Sequence, residues 1–251
     1  MAKFQRLSRS GSQNFAVNSK RAFNPLFSLN DFLPQAFDFA YAMCFTDGHH
    51  RNIRSGGQIH RSQGELFINT LQGKLAEFGI YRKFSEHGIT LPPPDLNVMG
   101  KGIWDNGDFD CLGYKLSIKS AAHFSNLMLL ETKDWDEEAH YIPDGSSYDF
   151  FILCRIKPDG KALFGHHPLL APNKPPYEAL KALFLAENWE FDIAGCIGKG
   201  ELKELIKREY ILPQKALLNG KIIMDARNYY AQSGDMHTFE QLLQRLNPAI
   251  P

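Results

Sequence analysis

The sequence of 251 residues predicts an α/β fold with a central mixed β-sheet flanked by helices. Two apolar stripes at helical spacing, within 28–44 and 62–84, precede a cluster of short apolar runs over 109–132. Phe150–Ile156 is a continuous apolar run, which is typical of a strand buried on both faces. This order of elements favours helices layered on a sheet.

The helices follow from spacing and capping signals. Ser28 or Asn30 is a suitable cap for the first helix, and Phe67, Leu71 and Leu75 form the stripe of the second. Further elements are expected as helices at about 176–187, 200–209 and 237–246, and as a strand over Lys221–Asp225. Because no repeat or long linker interrupts these elements, residues 28–251 are predicted to form one domain, with a loop over 46–61 and its core at about 62–160.

Residues 1–27 are polar and are predicted to form a basic N-terminal arm. The whole chain has a formal charge of zero. Met1–Arg61, however, contains eight basic and three acidic residues, a formal charge of +5. Such an uneven distribution of charge is expected of a phosphate-facing segment on an acidic body, and equally of a solvated basic tail.

The four cysteines are scattered without CxxC spacing. This pattern argues against a disulfide framework or a zinc site and predicts a cytoplasmic location. Cys111 and Cys154 lie in apolar contexts, where cysteine usually acts as a small core residue. No apolar run approaches the roughly 18–20 residues of a membrane span, so no membrane association is expected.

The segment GDFDCLGYKLSIKS, residues 107–120, predicts a β-hairpin with polar side chains on one face. Alternation in an extended chain places Asp108 and Asp110 on one face of the first strand, and Ser117 and Lys119 on one face of the second. Gly113 supplies the turn between the strands. The hairpin therefore places paired carboxylates beside a lysine.

Two carboxylates can hold a hard divalent cation such as Mg²⁺, which prefers oxygen ligands. The cation would acidify a bound water and neutralise charge on a phosphodiester, while a nearby lysine would stabilise the transition state. A structural hairpin with surface aspartate and lysine has the same spacing, so the spacing alone leaves both interpretations open.

The pattern Asp108…Ser117-Ile118-Lys119 resembles the PD-(D/E)xK nuclease superfamily, in its variants with a replaced middle acid. In that family an aspartate opens a hairpin, and acid-x-lysine lies on its second strand. The resemblance covers about 30 residues and implies a restriction-endonuclease-like α/β/α core. It assigns Asp108 and Lys119 as catalytic and Asp108 as a Mg²⁺ ligand.

Ser117 occupies the position of the second acid, so another residue must supply that ligand. Asp110 is the preferred metal ligand because it shares the face of Asp108. Glu131, a further catalytic candidate, ends the apolar run LMLLETK and belongs to an ordinary acid-x-lysine motif with Lys133, which gives a rival site with Asp110. Pro94-Asp95 is a third candidate, although its proline run favours a turn.

The family usually contributes a glutamate from a helix before the hairpin. Glu77 is the preferred match and Glu65 the second. Gly73, one turn before Glu77, would allow that helix to approach a sheet closely. The alternative is a surface glutamate paired with Lys74 or Arg82.

The loop over 46–61 is the predicted DNA-contact surface. Its Arg51, Arg54, Arg61 and Asn52 are of the types that contact guanine, adenine and phosphate. A basic flexible surface loop would have the same composition. The segment 225–230 follows an apolar strand and has two possible roles: it contacts phosphate, or its two tyrosines cover a sheet edge.

Together these features predict a Mg²⁺-dependent endonuclease acting on double-stranded DNA, of the type II restriction class, and a homodimer matched to a palindromic site. A repair, resolvase or RNA-processing nuclease is the alternative with the same chemistry. A non-catalytic nucleic-acid-binding protein is the alternative from another class.

Overall fold

The computed structural model describes residues 3–46, 62–97, 109–165 and 175–247. The helices are α1 Leu33–Phe45, α2 Gln63–Glu86, α3 Gly160–Gly165, α4 Tyr177–Leu185, α5 Lys199–Lys207 and α6 Phe239–Leu246. The strands are β1 Ser8–Ser10, β2 Asn14–Ala16, β3 Phe27–Ser28, β4 Phe109–Cys111, β5 Tyr114–Ala122, β6 Leu127–Glu131, β7 His140–Tyr141, β8 Ser146–Ser147, β9 Phe150–Lys157, β10 Glu190–Gly198, β11 Ile211–Leu212, β12 Leu217–Leu218, β13 Ile222–Ile223 and β14 Asn228–Gln232. The predicted mixed α/β class is confirmed.

The largest sheet has the order β3-β10-β9-β5-β4. Strands β5 and β9 are parallel, and the other neighbours are antiparallel, so the sheet is mixed. The predicted central strand is β9, in which every residue from Phe151 to Ile156 is buried. A strand enclosed on both faces needs apolar side chains on both, which explains its uninterrupted apolar run.

The two faces of this sheet contact different cores. Leu116, Ile118 and Ile152 pack with helices α1, α2, α4 and α6. Phe151 and Leu153 point the other way and pack with α5 and with strands β6 and β14. The expected α/β/α layering is therefore present on one face only, because strands cover most of the second face among the described residues.

The apolar run before Glu131 predicts a strand, β6, close to the hairpin in sequence. The strand is present, but it pairs with β14 in a separate three-stranded sheet of order β11-β14-β6. Leu127, Met128 and Leu130 face the second core. An apolar run predicts a strand but not which sheet it joins, since backbone pairing is non-local.

Residues 3–27 are integrated into the fold instead of extending as an arm. Strands β1 and β2 form a hairpin, and β2 pairs in parallel with β12 in a four-stranded sheet. Phe4, Leu7 and Val17 are buried in the second core. The basic residues of this segment are thus held on the body of the protein.

A buried ion pair anchors the end of this segment. Arg155 Nε and Nη2 donate to the two carboxylate oxygens of Asp192 at 2.9 and 2.5 Å. Arg155 also donates to the carbonyl oxygens of Arg21 and Ala22, each at 2.8 Å. Asp192 accepts in turn from the backbone N–H of Asn24 at 2.9 Å. The pair therefore joins β9, β10 and the chain before β3.

Helix α2 begins as its sequence predicts. The Ser62 side chain accepts from the Glu65 N–H, and the Glu65 side chain accepts from the Ser62 N–H. This capping box satisfies two N–H groups at the start of the helix that have no partner within it. The predicted stripe of Phe67, Leu71 and Leu75 is fully buried.

The close approach of α2 to the sheet is at Gly79 and not at Gly73. A Cβ at Gly79 would lie 2.5 Å from Cε2 of Phe191 in β10, whereas nothing lies within 4 Å of one at Gly73. The expectation that Gly73 allows the approach was therefore wrong.

Gly79→Ala is expected to lower the free energy of unfolding by ~1–3 kcal/mol, because Phe191 is fully buried and cannot move aside without strain. Gly73→Ala, in the same helix, is expected to raise it by about 0.5–1 kcal/mol, since alanine favours helix and meets no atom. Urea unfolding of both variants measures the difference. Equal shifts would contradict the assigned contact.

Candidate active-site hairpin and adjoining cavities

The predicted hairpin is present. Strands β4 and β5 are antiparallel with Phe109 opposite Leu116, and they are joined by Leu112 and Gly113. Both turn residues have positive φ, 52° and 86°, as a two-residue turn with the twist of the strands requires. Gly113 is therefore the turn residue, as predicted.

The faces of the hairpin are also as predicted. Leu116 and Ile118 are buried against α2 and its neighbours. By alternation, Ser117 and Lys119 point to the opposite face, which is the face of their β9 partners Phe151 and Leu153. Asp110 is exposed and lies opposite Lys115, so it shares the face of Lys119.

The carboxylates that were predicted to hold Mg²⁺ are only partly described. Asp108 lies outside the described residues and directly precedes Phe109 in the chain. Asp110 lies opposite Lys115, four residues from Lys119 along β5. At about 3.3 Å per residue the Cα of Lys119 is roughly 13 Å further along the strand. Asp110 is therefore not adjacent to Lys119.

Lys119 is half-buried in the middle of β5. Within the described ranges, it takes part in none of the ion pairs. Lys74, by contrast, is 5% exposed and lies 2.6 Å from a carboxylate oxygen of Glu77. A half-buried ammonium needs a counter-charge, and Lys119 does not obtain it from a described carboxylate.

Ser117 is 2% exposed and lies beside the fully buried Phe151. An unpaired carboxylate at this position would lose its hydration. This environment gives a physical reason for the departure from the acid-x-lysine pattern.

The structure separates Glu77 from Lys119. Helix α2 packs on the face of the sheet opposite to Lys119. Glu77 is also two residues before Gly79, which touches the sheet, so it points about 200° away around the helix. It pairs with Lys74, the partner named in the alternative to a catalytic role, but the two side chains are only 6% and 12% exposed, so the pair is not at the surface. Glu65, the second choice, caps the helix and lies 3.6 Å from Lys161.

The rival motif lies in the other sheet. Glu131 ends β6, opposite Asn228 of β14, and its carboxylate lies 3.7 Å from the Lys133 ammonium. The Lys133 side chain is 39% exposed and that of Glu131 is 13% exposed. Asp110 is in the largest sheet, so the two acids of the rival site belong to different sheets.

The predicted DNA-contact residues Arg51, Asn52, Arg54 and Arg61 lie outside the described residues. Among the described residues, the candidate site consists of the hairpin, and other surfaces must be considered for DNA contact.

Two adjoining cavities were not predicted. The larger, of about 780 Å³, lies between α5 and the sheet of β6 and β14. Four basic and four acidic side chains line it, together with Tyr229: Lys133, Lys203, Lys207 and Arg227, and Glu137, Glu138, Glu204 and Glu209. The smaller, of about 350 Å³, is lined by Arg6, Arg9 and Arg227 among others. The charge asymmetry of the N-terminal segment was the available signal, but it does not specify a cavity.

Residues 225–230, left open by the sequence, divide between two roles. Tyr230 is buried and its hydroxyl accepts from the Leu7 N–H at 3.0 Å. Tyr229 lines the larger cavity, and burial is the main cause that raises the pKa of its hydroxyl, with Arg227 opposing it. Arg227 is exposed. The tyrosines thus support the sheet, and the arginine faces a cavity.

A second polar cluster joins α5, α6 and the end of β10. Glu201 is buried and accepts from the Gly198 N–H at 2.7 Å, while its other carboxylate oxygen contacts Nε2 of His237. Nη2 of Arg245 lies 2.8 Å from the same ring nitrogen. These residues are distant in sequence, so no local pattern indicates the cluster.

The cysteines behave as core residues. Cys111 and Cys154 are buried, as predicted, and none of the four cysteines forms a disulfide. Burial is the main cause that raises the pKa of Cys44 and Cys196 to about 12 and of Cys111 to about 11, which disfavours reactive thiolates.

No group of three or more histidine, cysteine, aspartate or glutamate side chains suited to a metal occurs among the described residues. In the same parts of the chain, no helix has the length and apolar character needed to cross a membrane. Comparisons with protein-family models, curated proteins and solved structures found no significant match.

Proposed function

We propose that this protein is a Mg²⁺-dependent endonuclease that hydrolyses phosphodiester bonds of double-stranded DNA, with Lys119 as a catalytic residue. The observation that carries the proposal is the half-buried Lys119 on the second strand of the hairpin, outside every ion pair of the described residues. A phosphate oxygen is the kind of counter-charge that such an ammonium requires.

The position of the lysine fits the chemistry. Lys119 lies on β5 between the edge strand β4 and the central strand β9, so a rigid sheet fixes its backbone. An ammonium fixed in this way can stabilise negative charge that develops on the phosphate without reorganising first. The partly buried environment strengthens that interaction relative to water.

Among the described residues, Asp110 is one of the two proposed Mg²⁺ ligands; its exposed carboxylate is on the face of Lys119, but the Cα of Lys119 is roughly 13 Å further along the strand. Asp108 is the other and principal proposed ligand. Glu131 is retained as the alternative to Asp110 for the ligand that Ser117 does not supply. A bound Mg²⁺ would supply an acidified water and neutralise charge on the phosphodiester. The role of this chain's own residues is to hold the cation with carboxylates and the phosphate with Lys119.

A restriction-endonuclease-like core is part of the same proposal. The order α2, β4, β5 and β9 supports it, because a helix precedes the hairpin and the lysine strand lies beside a buried strand. The second face departs from the expected layers, since strands β6 and β14 cover it. The position of Glu77, the proposed catalytic glutamate, also departs from the family's pattern, because it pairs with Lys74 on a helix that packs on the face opposite to Lys119.

Sequence specificity would come from the loop over 46–61, with Arg51, Asn52, Arg54 and Arg61 as the proposed contacts. Cleavage of both strands at a short site requires two active centres, and a homodimer with two-fold symmetry would provide them at a palindrome.

Incubation of the purified protein with plasmid or phage DNA tests the proposal. Discrete fragments are expected with Mg²⁺ and none with EDTA. Branched DNA, single-stranded DNA and structured RNA in parallel separate a duplex-specific enzyme from a repair, resolvase or RNA-processing nuclease. DNA that stays intact with Mg²⁺ and Mn²⁺ while the protein binds it would contradict catalysis and favour a binding protein.

A further inference from the structure

The smaller cavity, which we call the arginine cavity, lies where the N-terminal segment meets β14. It has a volume of about 350 Å³, and the residues that matter here are Arg6, Arg9, Arg227, Phe15 and Glu209. Three guanidinium groups and one carboxylate therefore line a concave surface. The arrangement of each group shows whether its charge is already neutralised.

Arg6 is held by neutral groups. Its Nη1 and Nη2 donate to the carbonyl oxygens of Glu209 and Arg208 at 3.1 and 2.5 Å. The guanidinium carbon lies 4.7 Å from the centre of the Tyr210 ring. A guanidinium has five N–H donors and a full positive charge. Arg6 is therefore fixed in position by neutral carbonyl groups, while some of its donors and its positive charge remain available to a ligand.

Arg9 is held in the same way. Its Nε and Nη2 donate to the carbonyl oxygens of Gly11 and Ser12 at 2.9 and 3.1 Å, within its own β-hairpin. Its guanidinium carbon lies 5.6 Å from the centre of the Phe15 ring. Neither arginine forms an ion pair with a described carboxylate.

Arg227 lies where the two cavities meet, since it lines both. Its backbone carbonyl accepts from the Thr132 N–H at 3.0 Å, which fixes the start of its side chain. Its guanidinium also forms no ion pair within the described ranges. A preorganised cluster of cations without carboxylate partners is a site for an anion.

Glu209 is the carboxylate of the arginine cavity, and it also lines the larger one. Its backbone has φ of 53° and its carbonyl holds Arg6. The carboxylate opposes an anionic ligand, so the three arginines outweigh it but do not act unopposed.

We infer that the arginine cavity binds the phosphodiester backbone of duplex DNA. This inference rests on the proposed function and adds a substrate contact outside the hairpin and outside the 46–61 loop. The cavity shares Glu209, Ile211 and Arg227 with the larger one. The larger cavity has as many carboxylates as cations in its lining, so the excess of positive charge is confined to the arginine cavity. Three guanidinium groups from two distant parts of the chain, spread over one concave surface, fit the spaced phosphates of a polymer better than a single free phosphate.

A salt titration tests this contact. The probe is a fluorescein-labelled duplex of about 20 base pairs in EDTA, with its affinity followed by fluorescence anisotropy. Arg227→Gln is expected to weaken binding about three- to tenfold and to reduce the slope of log affinity against log salt by about 1, the loss of one phosphate contact.

The control is Arg82→Gln, which removes the same charge from α2 on the opposite side of the sheet. Arg82 lies over the Phe27 ring at 4.5 Å and next to Glu86 at 3.3 Å. Its substitution is expected to leave the salt slope unchanged. Equal slopes for Arg82→Gln and Arg227→Gln would overturn the assigned site.

Glu209→Gln provides a test of opposite sign. Removing the opposing carboxylate is expected to tighten DNA binding about two- to fivefold without loss of the slope. Weaker or unchanged binding would overturn the inference, and a folding defect cannot produce the gain. Competition by inorganic phosphate at millimolar concentration that abolishes duplex binding would likewise assign a free-phosphate site instead.

The two proposals fail separately. If the protein cuts DNA but Arg227→Gln leaves the slope of log affinity against log salt unchanged, the nuclease function stands and this contact is refuted. A protein whose duplex binding depends on Arg227, but which cuts nothing with Mg²⁺ or Mn²⁺, keeps the contact and loses the nuclease function.

Discussion

Lys119→Met is expected to lower the rate of DNA cleavage by about 10²–10³-fold, the cost of removing one preorganised donor from a developing negative charge. Methionine keeps the length of the side chain and suits a half-buried position beside Leu153. Stability should therefore be unchanged or higher, because the variant no longer desolvates an ammonium. Initial rates on plasmid DNA, together with thermal unfolding, measure both effects.

Lys115→Met is the matched control. Lys115 lies on the same strand and the same face but is exposed, and its register partner across the hairpin is Asp110. A loss of no more than about threefold is expected, since an exposed charge is screened by solvent. A Lys119→Met variant that keeps more than a third of the wild-type rate would refute the catalytic assignment.

Lys133→Met distinguishes the rival acid-x-lysine motif. Lys133 is exposed and lies near Glu131, so the hairpin interpretation predicts little change in the rate. A loss comparable to that expected for Lys119→Met would move the active site to the sheet of β6 and β14. The two substitutions therefore separate interpretations that the sequence left open.

Much of the central architecture follows from local patterns. Helices α1, α2 and α6 have apolar residues at helical spacing, and strand β9 is a continuous apolar run. The hairpin of β4 and β5 follows from alternation together with Gly113. These signals depend on neighbours a few residues apart. For this reason they can be recognised without knowledge of the tertiary contacts.

Strand β10 was missed although it lies next to β9. A register shift between Ile193 and Gly195 interrupts its alternation. Asp192 also places a carboxylate in a buried strand, where a sequence pattern favours a loop. Its partner Arg155 lies on another strand, so no local sequence pattern indicates that the buried Asp192 charge is neutralised.

The N-terminal segment was misjudged for a similar reason. Phe4 packs near Tyr210, whose hydroxyl donates to the Phe4 carbonyl at 2.9 Å, and Leu7 donates to Tyr230. These partners lie more than 200 residues away, so isolated apolar residues in a polar stretch gave no periodic signal. The cluster of Arg6, Arg9 and Arg227 arises from the same long-range packing.

The candidate site was predictable only in part. The face of Lys119 follows from alternation, whereas the side on which α2 packs depends on the whole sheet. Gly79, and not Gly73, makes the close contact, and this orientation turns Glu77 away from the lysine. A glutamate on a preceding helix therefore cannot be assigned to a hairpin from spacing alone.

Asp192→Asn is expected to lower the free energy of unfolding by ~3–5 kcal/mol, the cost of leaving a buried charge without its partner. Arg155 is 1% exposed, so water cannot replace the carboxylate. Urea unfolding measures the loss. Limited proteolysis should also cut between Lys20 and Asn24 faster, because Asp192 accepts from the Asn24 N–H and positions the arginine that holds Arg21 and Ala22.

The neighbouring pair on the same two strands is the control. Lys157 and Glu190 face each other at 3.1 Å with side chains 51% and 23% exposed, so Glu190→Gln should cost no more than about 1 kcal/mol. The double variant Arg155→Met/Asp192→Leu should recover much of the loss in stability, since apolar residues can replace a buried pair without leaving a charge. It should not restore protection of the N-terminal segment, because methionine cannot donate to the carbonyl oxygens of Arg21 and Ala22. Recovered stability with restored protection would show that packing, and not this hydrogen-bonded pair, holds the segment and the arginines it carries.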